Sequence, residues 1–550
     1  MPGEDATAPV DDATSATDAD AAPSVDDATP ATDDAEGGTD DDLSALVSSA
    51  SLVLVGSLFG SGSKLLEQIV VGRLLSTSAY GEVNIALSTM TLGSTLALLG
   101  LDQGISRFAS RYDDERDVRG LWVVGLALAG ATGVLLSAAL LLAGDRLRRL
   151  LFEPTTPPGL LTLFALALPF LVGLRLGVGA VRGHENTRYR TYAYDLLYNG
   201  LRLVLLVALL LAGGGVLAAG YAYLVAAVVA FVVVHALLNR LLALRGPFRT
   251  HVRDLLTFSA PLVVAAAVSA LFAQVDTIML GALLPSTAPA GAYNKGYTIA
   301  AGLPVVLSVF GFLYMPLAAR LDAGDDRDEV RRVYAVTTKW IFVAAFPLFL
   351  TFVAFPTDLV TIVFGTADPR SGMALAVLAV GFFVSAANGR CQDTLSAFGH
   401  TRAILAVNTV AALVNVAANL LLIPRFGVIG AAAASALSFV TLNVSALLAL
   451  RWLSGIEPFS GPTTRAFLAL PVALLPPAFA LSGVVSLSIF TLPVFVVGAG
   501  VAVVAVAAAA GALQSEDAVL IDLVEGRLGV HVPLVRRYVP EDGDGSTTHE

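Results

Sequence analysis

The 550-residue chain is short of charge. Only 14% of its residues are charged and 56% are hydrophobic, with a mean hydropathy of +0.76. A soluble domain carries roughly 25% charged residues. This deficit excludes an ordinary soluble domain and indicates a polytopic membrane protein.

Cysteine and enzyme motifs are also scarce. The single cysteine, Cys391, excludes a disulfide framework and a cysteine-based metal site, so we expect a small buried apolar side chain. The chain has no GxxxxGK[ST], HExxH or GxSxG motif. We therefore expect no enzymatic activity, no cofactor, no bound metal and no nucleic-acid partner.

The net charge of -11 is concentrated in the two tails. Residues 1–43 hold 14 acidic and no basic residues, residues 514–550 hold 8 acidic and 3 basic, and the stretch between carries 30 basic against 22 acidic. We predict that residues 1–42 are disordered, and they lack the features of a signal peptide. The acidic tails, together with only 3 Lys against 30 Arg in the whole chain, indicate a halophile, and we expect an archaeal one. GC-rich codon usage would explain the Arg excess equally well.

Apolar runs long enough to cross a bilayer occur fourteen times, since about 20 residues span the hydrocarbon core. They cover, approximately, residues 44–71, 82–104, 120–143, 159–179, 193–212, 216–238, 255–283, 290–316, 334–355, 372–390, 403–423, 427–450, 465–485 and 489–512. One set of loops holds 24 Lys or Arg and the other set 6. The positive-inside rule therefore predicts a multi-pass protein of the cell membrane with both termini cytoplasmic.

An internal repeat organises these segments. The hairpin 403–450 has a looser copy at 188–238, Gln68 matches Gln274 at an offset of 206, and Gly183 matches Gly399 at 216. We predict an all-α monomer of two parallel six-helix repeats plus two extra helices, with the substrate path between the repeats. The predicted parts are an acidic tail, a first lobe, a second lobe, an additional helix pair and a second acidic tail, at 1–42, 43–253, 254–452, 453–513 and 514–550.

Polar side chains at helical spacing mark the candidate site, because ionisable groups inside a membrane are costly. Segments one, two, seven and eight each present a polar face. The predicted substrate-binding residues are Lys64, Gln68, Asn84, Asp276, Asn294 and Lys295. Residues predicted to have a cavity or structural role are Glu67, Gln274, Asp195, Arg202 and Arg390.

Structural roles are the alternatives for these charged residues. Lys64 and Lys295 could form ion pairs with Glu67 and Asp276. Asp195 and Arg202, two helical turns apart with Asn199 between them, could form a link within one helix. Arg390, near the inner surface, is expected to extend towards the lipid headgroups.

Three stretches carry a family resemblance. They are the hairpin Asn415–Ala434 with its Pro-Arg-Phe-Gly turn, the segment Phe398–Arg402 before it, and the start Lys64–Gly81. Together they resemble the polysaccharide-biosynthesis flippases of the multidrug/oligosaccharidyl-lipid/polysaccharide (MOP) exporter superfamily.

The resemblance implies a bilobed fold like that of the MATE transporters and a specific activity. It implies that an oligosaccharide, linked through phosphate or pyrophosphate to a polyprenyl or dolichyl carrier, moves from the cytoplasmic to the outer leaflet by alternating access. Glycan-assembly enzymes would be partners. By resemblance to lipid II flippases, cations on segments one, two and eight would contact the phosphate. Lys64 and Lys295 occupy two of these segments, while the second has no internal cation.

Two other functions remain open. A cation-coupled multidrug antiporter of the same superfamily would use acidic cavity residues, for which Glu67, Asp276 and Asp102 are candidates. A membrane glycosyltransferase or polymerase would need a large outer loop with acidic catalytic residues, whereas the outer loops here are short.

Overall fold

The computed structural model describes residues 36–308, 327–514 and 517, with side chains from residue 55 onwards. The chain divides into two units, Met1–Ser51 and Leu52–Glu550. Of the first unit, only residues 36–51 are described, and they are helical. Residues 1–42 were predicted to be disordered, but residues 36–42 belong to a helix, while residues 1–35 and most of the acidic tail 514–550 lie outside the described residues. All that follows concerns the second unit.

Every regular element of the described chain is helical. The helices are α1 (Glu36–Leu74), α2 (Thr77–Leu98), α3 (Leu101–Ala109), α4 (Glu115–Leu142), α5 (Gly144–Leu151), α6 (Gly159–Gly183), α7 (Thr187–Leu211), α8 (Leu217–Leu241), α9 (Val252–Leu283), α10 (Ala288–Ala300), α11 (Arg327–Ala354), α12 (Pro356–Phe364), α13 (Pro369–Asn388), α14 (Cys391–Ala397), α15 (Thr401–Phe426), α16 (Val428–Ser454), α17 (Gly461–Ser482) and α18 (Thr491–Ala509). Residues 303–308 are also helical.

Two sets of helices pack in the same pattern. In the first repeat, α6 contacts α2, α4 and α8, while α7 packs against α8. In the second repeat, α13 contacts α10, α11 and α16, while α15 packs against α16. The repeats meet where α2 packs against α9 and α10, and the additional helices α17 and α18 pack against α11. The pattern is that of six helices, six equivalent helices and two more.

The candidate spans of the described residues are fewer than the fourteen predicted segments but consistent with them. In the described part of the chain, eleven helices are long and apolar enough to cross a membrane, or twelve if α2 and α3, bent by 46°, form one broken span. The first predicted segment is helical within α1. The eighth begins at α10 and continues into residues 309–326, which lie outside the described residues.

The bend between α2 and α3 depends on Gly100. Leu99 and Gly100 both adopt left-handed backbone angles, with φ of 51° and 67°. A Cβ on Gly100 would lie 3.0 Å from the Leu262 side chain and 3.1 Å from the Ser259 carbonyl of α9. Glycine therefore serves both the turn and the close approach of the second repeat.

Helix α7 contains a π-helical stretch, Thr191–Tyr198, where it crosses α1. Gly56 and Gly60 of α1 allow this contact, because a Cβ on Gly56 would lie 2.1 Å from Thr191 and one on Gly60 would lie 3.3 Å from the Asp195 carboxyl. Small residues four apart are a common means of close helix packing in membranes. Pi-helical insertions change the direction of the side chains that follow, and here they precede Arg202.

Candidate substrate cavity

A cavity of about 430 Å³ lies among α1, α2, α6, α7, α8 and α9, and we call it the central cavity. Its polar lining comes mainly from the first repeat, and Gln274 of α9 is contributed by the second. The polar, ionisable and tyrosine side chains that line it are Lys64, Glu67, Gln68, Thr91, Ser94, Thr95, Arg175, Tyr194, Tyr198, Arg202, Tyr223 and Gln274.

The polar face of α1 points into this cavity. Lys64 is exposed, and its Nζ lies 5.5 Å from the ring centroid of Tyr194, a cation–π distance. Gln68, one turn further on, accepts a 2.6 Å hydrogen bond from the Tyr80 hydroxyl. Its repeat counterpart Gln274 lines the same cavity. The two repeats thus contribute equivalent amides to one space.

Glu67 is the buried member of the α1 face. Arg202 of α7 donates from Nε to its Oε2 at 2.7 Å, and the Tyr223 hydroxyl of α8 donates to its Oε1 at 2.5 Å. The guanidinium carbon of Arg202 lies 5.0 and 4.5 Å from the ring centroids of Tyr198 and Tyr223. The carboxylate is therefore neutralised inside the first repeat, and the cation is enclosed by aromatic rings.

A second cavity of about 430 Å³ adjoins the central one, and we call it the vestibule. Its lining includes three guanidinium groups, those of Arg175, Arg182 and Arg190, against the single carboxyl of Asp102. Arg175 and Tyr194 line both cavities, so the two spaces lie side by side. Arg175 also donates to the Thr95 hydroxyl at 3.2 Å. The passage through vestibule and central cavity is consequently cationic.

Asp276 of α9 lies outside this passage. Its carboxyl accepts hydrogen bonds from Tyr293 at 2.7 Å, Ser435 at 2.5 Å, Asn415 at 3.0 Å and Asn419 at 2.5 Å. The side chain is only 5% exposed. Four neutral donors therefore enclose it, and Asn415 and Asn419 of the hairpin hold helix α15 to α9.

The remaining predicted substrate-binding residues lie at the contact between α2 and α10. Lys295 is 1% exposed, and its Nζ donates to the hydroxyls of Thr77 at 3.1 Å and Thr366 at 3.3 Å. Asn84 donates to the Tyr80 carbonyl within α2, and Asn294 exchanges hydrogen bonds with Thr277. The structure thus separates Lys295 from the cavity that Lys64 lines.

Three pairings that the sequence suggested as structural roles for the charged residues are wrong. Glu67 pairs with Arg202 and not with Lys64, and Asp276 has neutral partners instead of Lys295. Asp195 is 3.8 Å from Arg190, so the link to Arg202 within the helix is not formed. The π-helical stretch between them explains this outcome, because it removes the regular two-turn spacing.

Arg390 is held by protein groups, contrary to the expectation that it extends to the headgroups. Its guanidinium donates to the Leu307 carbonyl at 3.3 Å and pairs with Asp393. Arg390 therefore joins the end of α13 to the helical residues 303–308.

The vestibule was not predicted from the sequence. Its arginines are among the 24 basic residues that the sequence places in the inner loops, whereas Arg175 and Arg182 both belong to α6. The signal was present, because residues seven apart lie on one face of a helix and Arg175 interrupts an apolar run.

The comparisons with known proteins identify the family. Residues 46–321, half of the chain, match the family described as polysaccharide biosynthesis protein. The chain belongs to this family, as the resemblance predicted. The hairpin Asn415–Ala434 lies outside the matched range.

Curated relatives include two proteins of Haloferax volcanii that are described as probable flippases. A probable low-salt glycan biosynthesis flippase is 22% identical over 202 residues, 37% of this chain and 43% of the relative. A probable flippase is 26% identical over 282 residues, 51% of this chain and 58% of the relative. The matches span less than two thirds of either relative. Their source agrees with the prediction of a halophile.

Solved structures confirm the predicted fold. The lipid II flippase MurJ in an inward closed conformation has a TM-score of 0.65, with 11% identity over 83% of this chain and 97% of that protein. A multidrug-resistance MATE-family transporter of the MOP superfamily, facing inward, has a TM-score of 0.61, with 17% identity over 74% and 98%. The described part of the chain has the bilobed, all-helical architecture of that superfamily.

Proposed function

We propose that this protein is a flippase for a lipid-linked oligosaccharide. The cargo, joined to its carrier by phosphate or pyrophosphate, moves from the cytoplasmic to the outer leaflet by alternating access, for assembly of a surface polysaccharide or glycoprotein. The observation that carries the proposal is the charge of the passage. Lys64, Arg175 and Arg182 line it without a carboxylate partner in the described part of the chain, while the one buried acid of its wall, Glu67, is paired with Arg202.

This charge suits an anionic group crossing a membrane. A phosphate pays a large desolvation cost in a low-dielectric slab, and nearby cations offset that cost. Guanidinium groups bind phosphate oxygens through two parallel hydrogen bonds, while a lysine ammonium acts as a point charge. The polyprenyl or dolichyl chain can remain in the bilayer. Only the sugars and phosphate then need the wet passage.

One end of the passage is closed by a tight contact between the two repeats, and its position supports the proposed direction of transport. The N-terminal ends of α2 and α10 meet at Gly81 and Gly291, where a Cβ on either glycine would lie within 2.1 Å of the opposite backbone. Loop charges predict that this end faces outwards. The vestibule, rich in arginine, would then be the cytoplasmic entrance, so cargo loads from inside.

The charge distribution opposes the multidrug antiporter. The three acids that an antiporter could use are not available to a cation. Glu67 is paired with Arg202, Asp276 is enclosed by four hydrogen-bond donors, and Asp102 lies beside the vestibule arginines. Such a lining would repel a cationic drug. Energised extrusion of cationic dyes that is lost in Asp276→Asn would defeat the flippase proposal.

Reconstituted transport tests the proposal. Proteoliposomes would contain full-length protein and a fluorescent lipid-diphosphate-linked sugar, and protection of the sugar from an external reagent would report flipping. We expect Lys64→Ala to abolish most of the flipping, with the protein still folded in the membrane. Arg451→Ala is the matched control, because Arg451 is exposed and its ion pair among the described residues is with Glu457. Wild-type flipping by Lys64→Ala would overturn the role of Lys64, and no flipping by the wild type would overturn the function.

A further inference from the structure

The closed outer end contains a buried lysine for which the proposed phosphate passage gives no role. Lys295 belongs to the second repeat, while one of its two hydrogen-bond partners, Thr77, belongs to the first. The other partner, Thr366, lies beyond α12. Closure of this end therefore surrounds one amine with hydroxyl groups from both repeats.

No carboxylate lies within ion-pair distance of Lys295 among the described residues. The nearby ring of Phe364, with its centroid 5.8 Å from Nζ, supplies a weak cation–π contact. Asp368 attracts the Lys295 ammonium only from beyond ion-pair distance, and its carboxyl accepts from the backbone N–H of Arg370 and the hydroxyl of Ser371 at its own helix end. A buried charge without a counter-charge costs free energy that neutral hydrogen bonds offset only in part.

A second cation at the same end, Arg73, stabilises the closed state, whereas burial of Lys295 destabilises it. Arg73, at the end of α1, donates from Nε to the Val363 carbonyl at 2.7 Å and from Nη2 to the Ile362 carbonyl at 2.6 Å. These carbonyls end α12, so the guanidinium meets the negative end of a helix dipole. Arg73 is exposed and loses little hydration there. It therefore holds the repeats together at small cost.

We propose that burial of the Lys295 charge raises the free energy of the closed outer end relative to the open one. Lys295 thereby favours opening of this end. The inference rests on the alternating-access part of the proposed function. Arg73 supplies the opposing closing contact. When the outer end opens, Lys295 reaches water and becomes a cation at the exit of the passage.

Distances between the repeats test this assignment without cargo. Spin labels at Arg146→Cys and Arg370→Cys, two exposed positions in predicted outer loops of different repeats, would be introduced into full-length protein carrying Cys391→Ser. The long-distance population reports opening. Because the readout needs no cargo, it is independent of whether the protein transports a lipid-linked glycan.

Lys295→Met and Arg73→Met are predicted to have opposite effects. Arg73→Met should enlarge the open population, and adding Lys295→Met in that background should reduce it about fivefold or more, which corresponds to a difference of about 1 kcal/mol. Lys295→Arg keeps the charge and should retain the open population. An open population that is unchanged or larger on adding Lys295→Met overturns the proposal, as does a reduction by Arg73→Met.

Discussion

The carboxylate of Glu67 and the guanidinium of Arg202 form a buried ion pair, 2.7 Å between Oε2 and Nε, that ties α1 to α7. The second repeat has a counterpart, because Asp276 of α9 bonds to Asn419 of α15 and Ser435 of α16. In each repeat, an acid on the first helix bonds to the fifth and sixth. The first repeat uses a cation for this purpose, and the second uses neutral donors.

Replacing Arg202 by Met should destabilise the protein strongly. Glu67 would then remain buried without its cation, and breaking one side of a buried pair costs about 3–5 kcal/mol. Thermal unfolding of the purified protein in detergent measures the effect. The double variant Glu67→Gln, Arg202→Met should recover much of the loss, because it leaves no buried charge. A double variant less stable than Arg202→Met would contradict this account.

The third lysine of the chain forms another buried pair. Lys339 of α11 donates to Asp517 at 2.7 Å and to the Ala512 carbonyl at 3.0 Å, and Trp340 donates from Nε1 to the same carboxyl at 2.9 Å. Lys339 and Asp517 have side-chain exposures of 1% and 0%. The carboxyl of Asp517 thus holds the chain that follows α18 against α11.

Asp517→Asn should therefore lower stability by about 3–5 kcal/mol, because Lys339 would keep its charge without a counter-charge. Thermal unfolding provides the measurement. Arg465→Gln is the control, since exposed Arg465 donates to the Gly511 carbonyl in the chain that follows α18 and loss of this bond should cost about 1 kcal/mol. Equal destabilisation by the two variants would show that the charge of Asp517 is not what matters.

Hydropathy and periodicity predicted the helical fold because apolar length and charge asymmetry are local properties of the sequence. The same periodicity placed Lys64 and Gln68 on one face of α1, and both line the central cavity. Lys295 met the same criteria but lies at the contact between α2 and α10. Which surface a polar face meets depends on how the repeats approach each other, and that is not a local property.

The partners of the buried charges were harder to predict. Glu67 and Arg202 are 135 residues apart, and the direction of Arg202 follows from the π-helical stretch in α7. Arg182 was assigned to a loop because polar residues end an apolar run even where the helix continues. Sequence spacing gives the face of a helix, whereas pairing requires the crossing of two helices.

The vestibule arginines should affect cargo binding more than turnover. We expect Arg182→Gln to raise the KM for a lipid-diphosphate-linked sugar about tenfold with a smaller change in kcat, because a charge-assisted hydrogen bond at the entrance contributes about 1.5–3 kcal/mol. Flipping rates at varied cargo density measure both constants. Arg188→Gln is the matched control, as Arg188 is exposed nearby but does not line the vestibule. A similar KM change in the control would mean that general surface charge causes the effect.

Glu153 should make closure of the outer end sensitive to acid. Its carboxyl accepts from the Thr287 backbone N–H at 2.9 Å, Ser286 at 2.8 Å and Ser78 at 2.9 Å, so it joins the start of α2 to the start of α10. These bonds, the Thr287 N–H first, hold the pKa of the Glu153 carboxyl below its ordinary value. The closed form therefore binds the ionised carboxylate more favourably than the open form does.

A lowered pKa in the closed form stabilises closure above the ordinary carboxyl pKa, and this contribution is lost as the pH falls through the pKa of the closed form. The open population measured with spin labels at the Arg146 and Arg370 positions should increase on acidification through that range. Glu153→Gln should remove most of the pH dependence and leave the outer end more open at neutral pH. Glu185→Gln is the control, since exposed Glu185 lies in the loop between α6 and α7. An unchanged pH response in Glu153→Gln would assign the effect to another group.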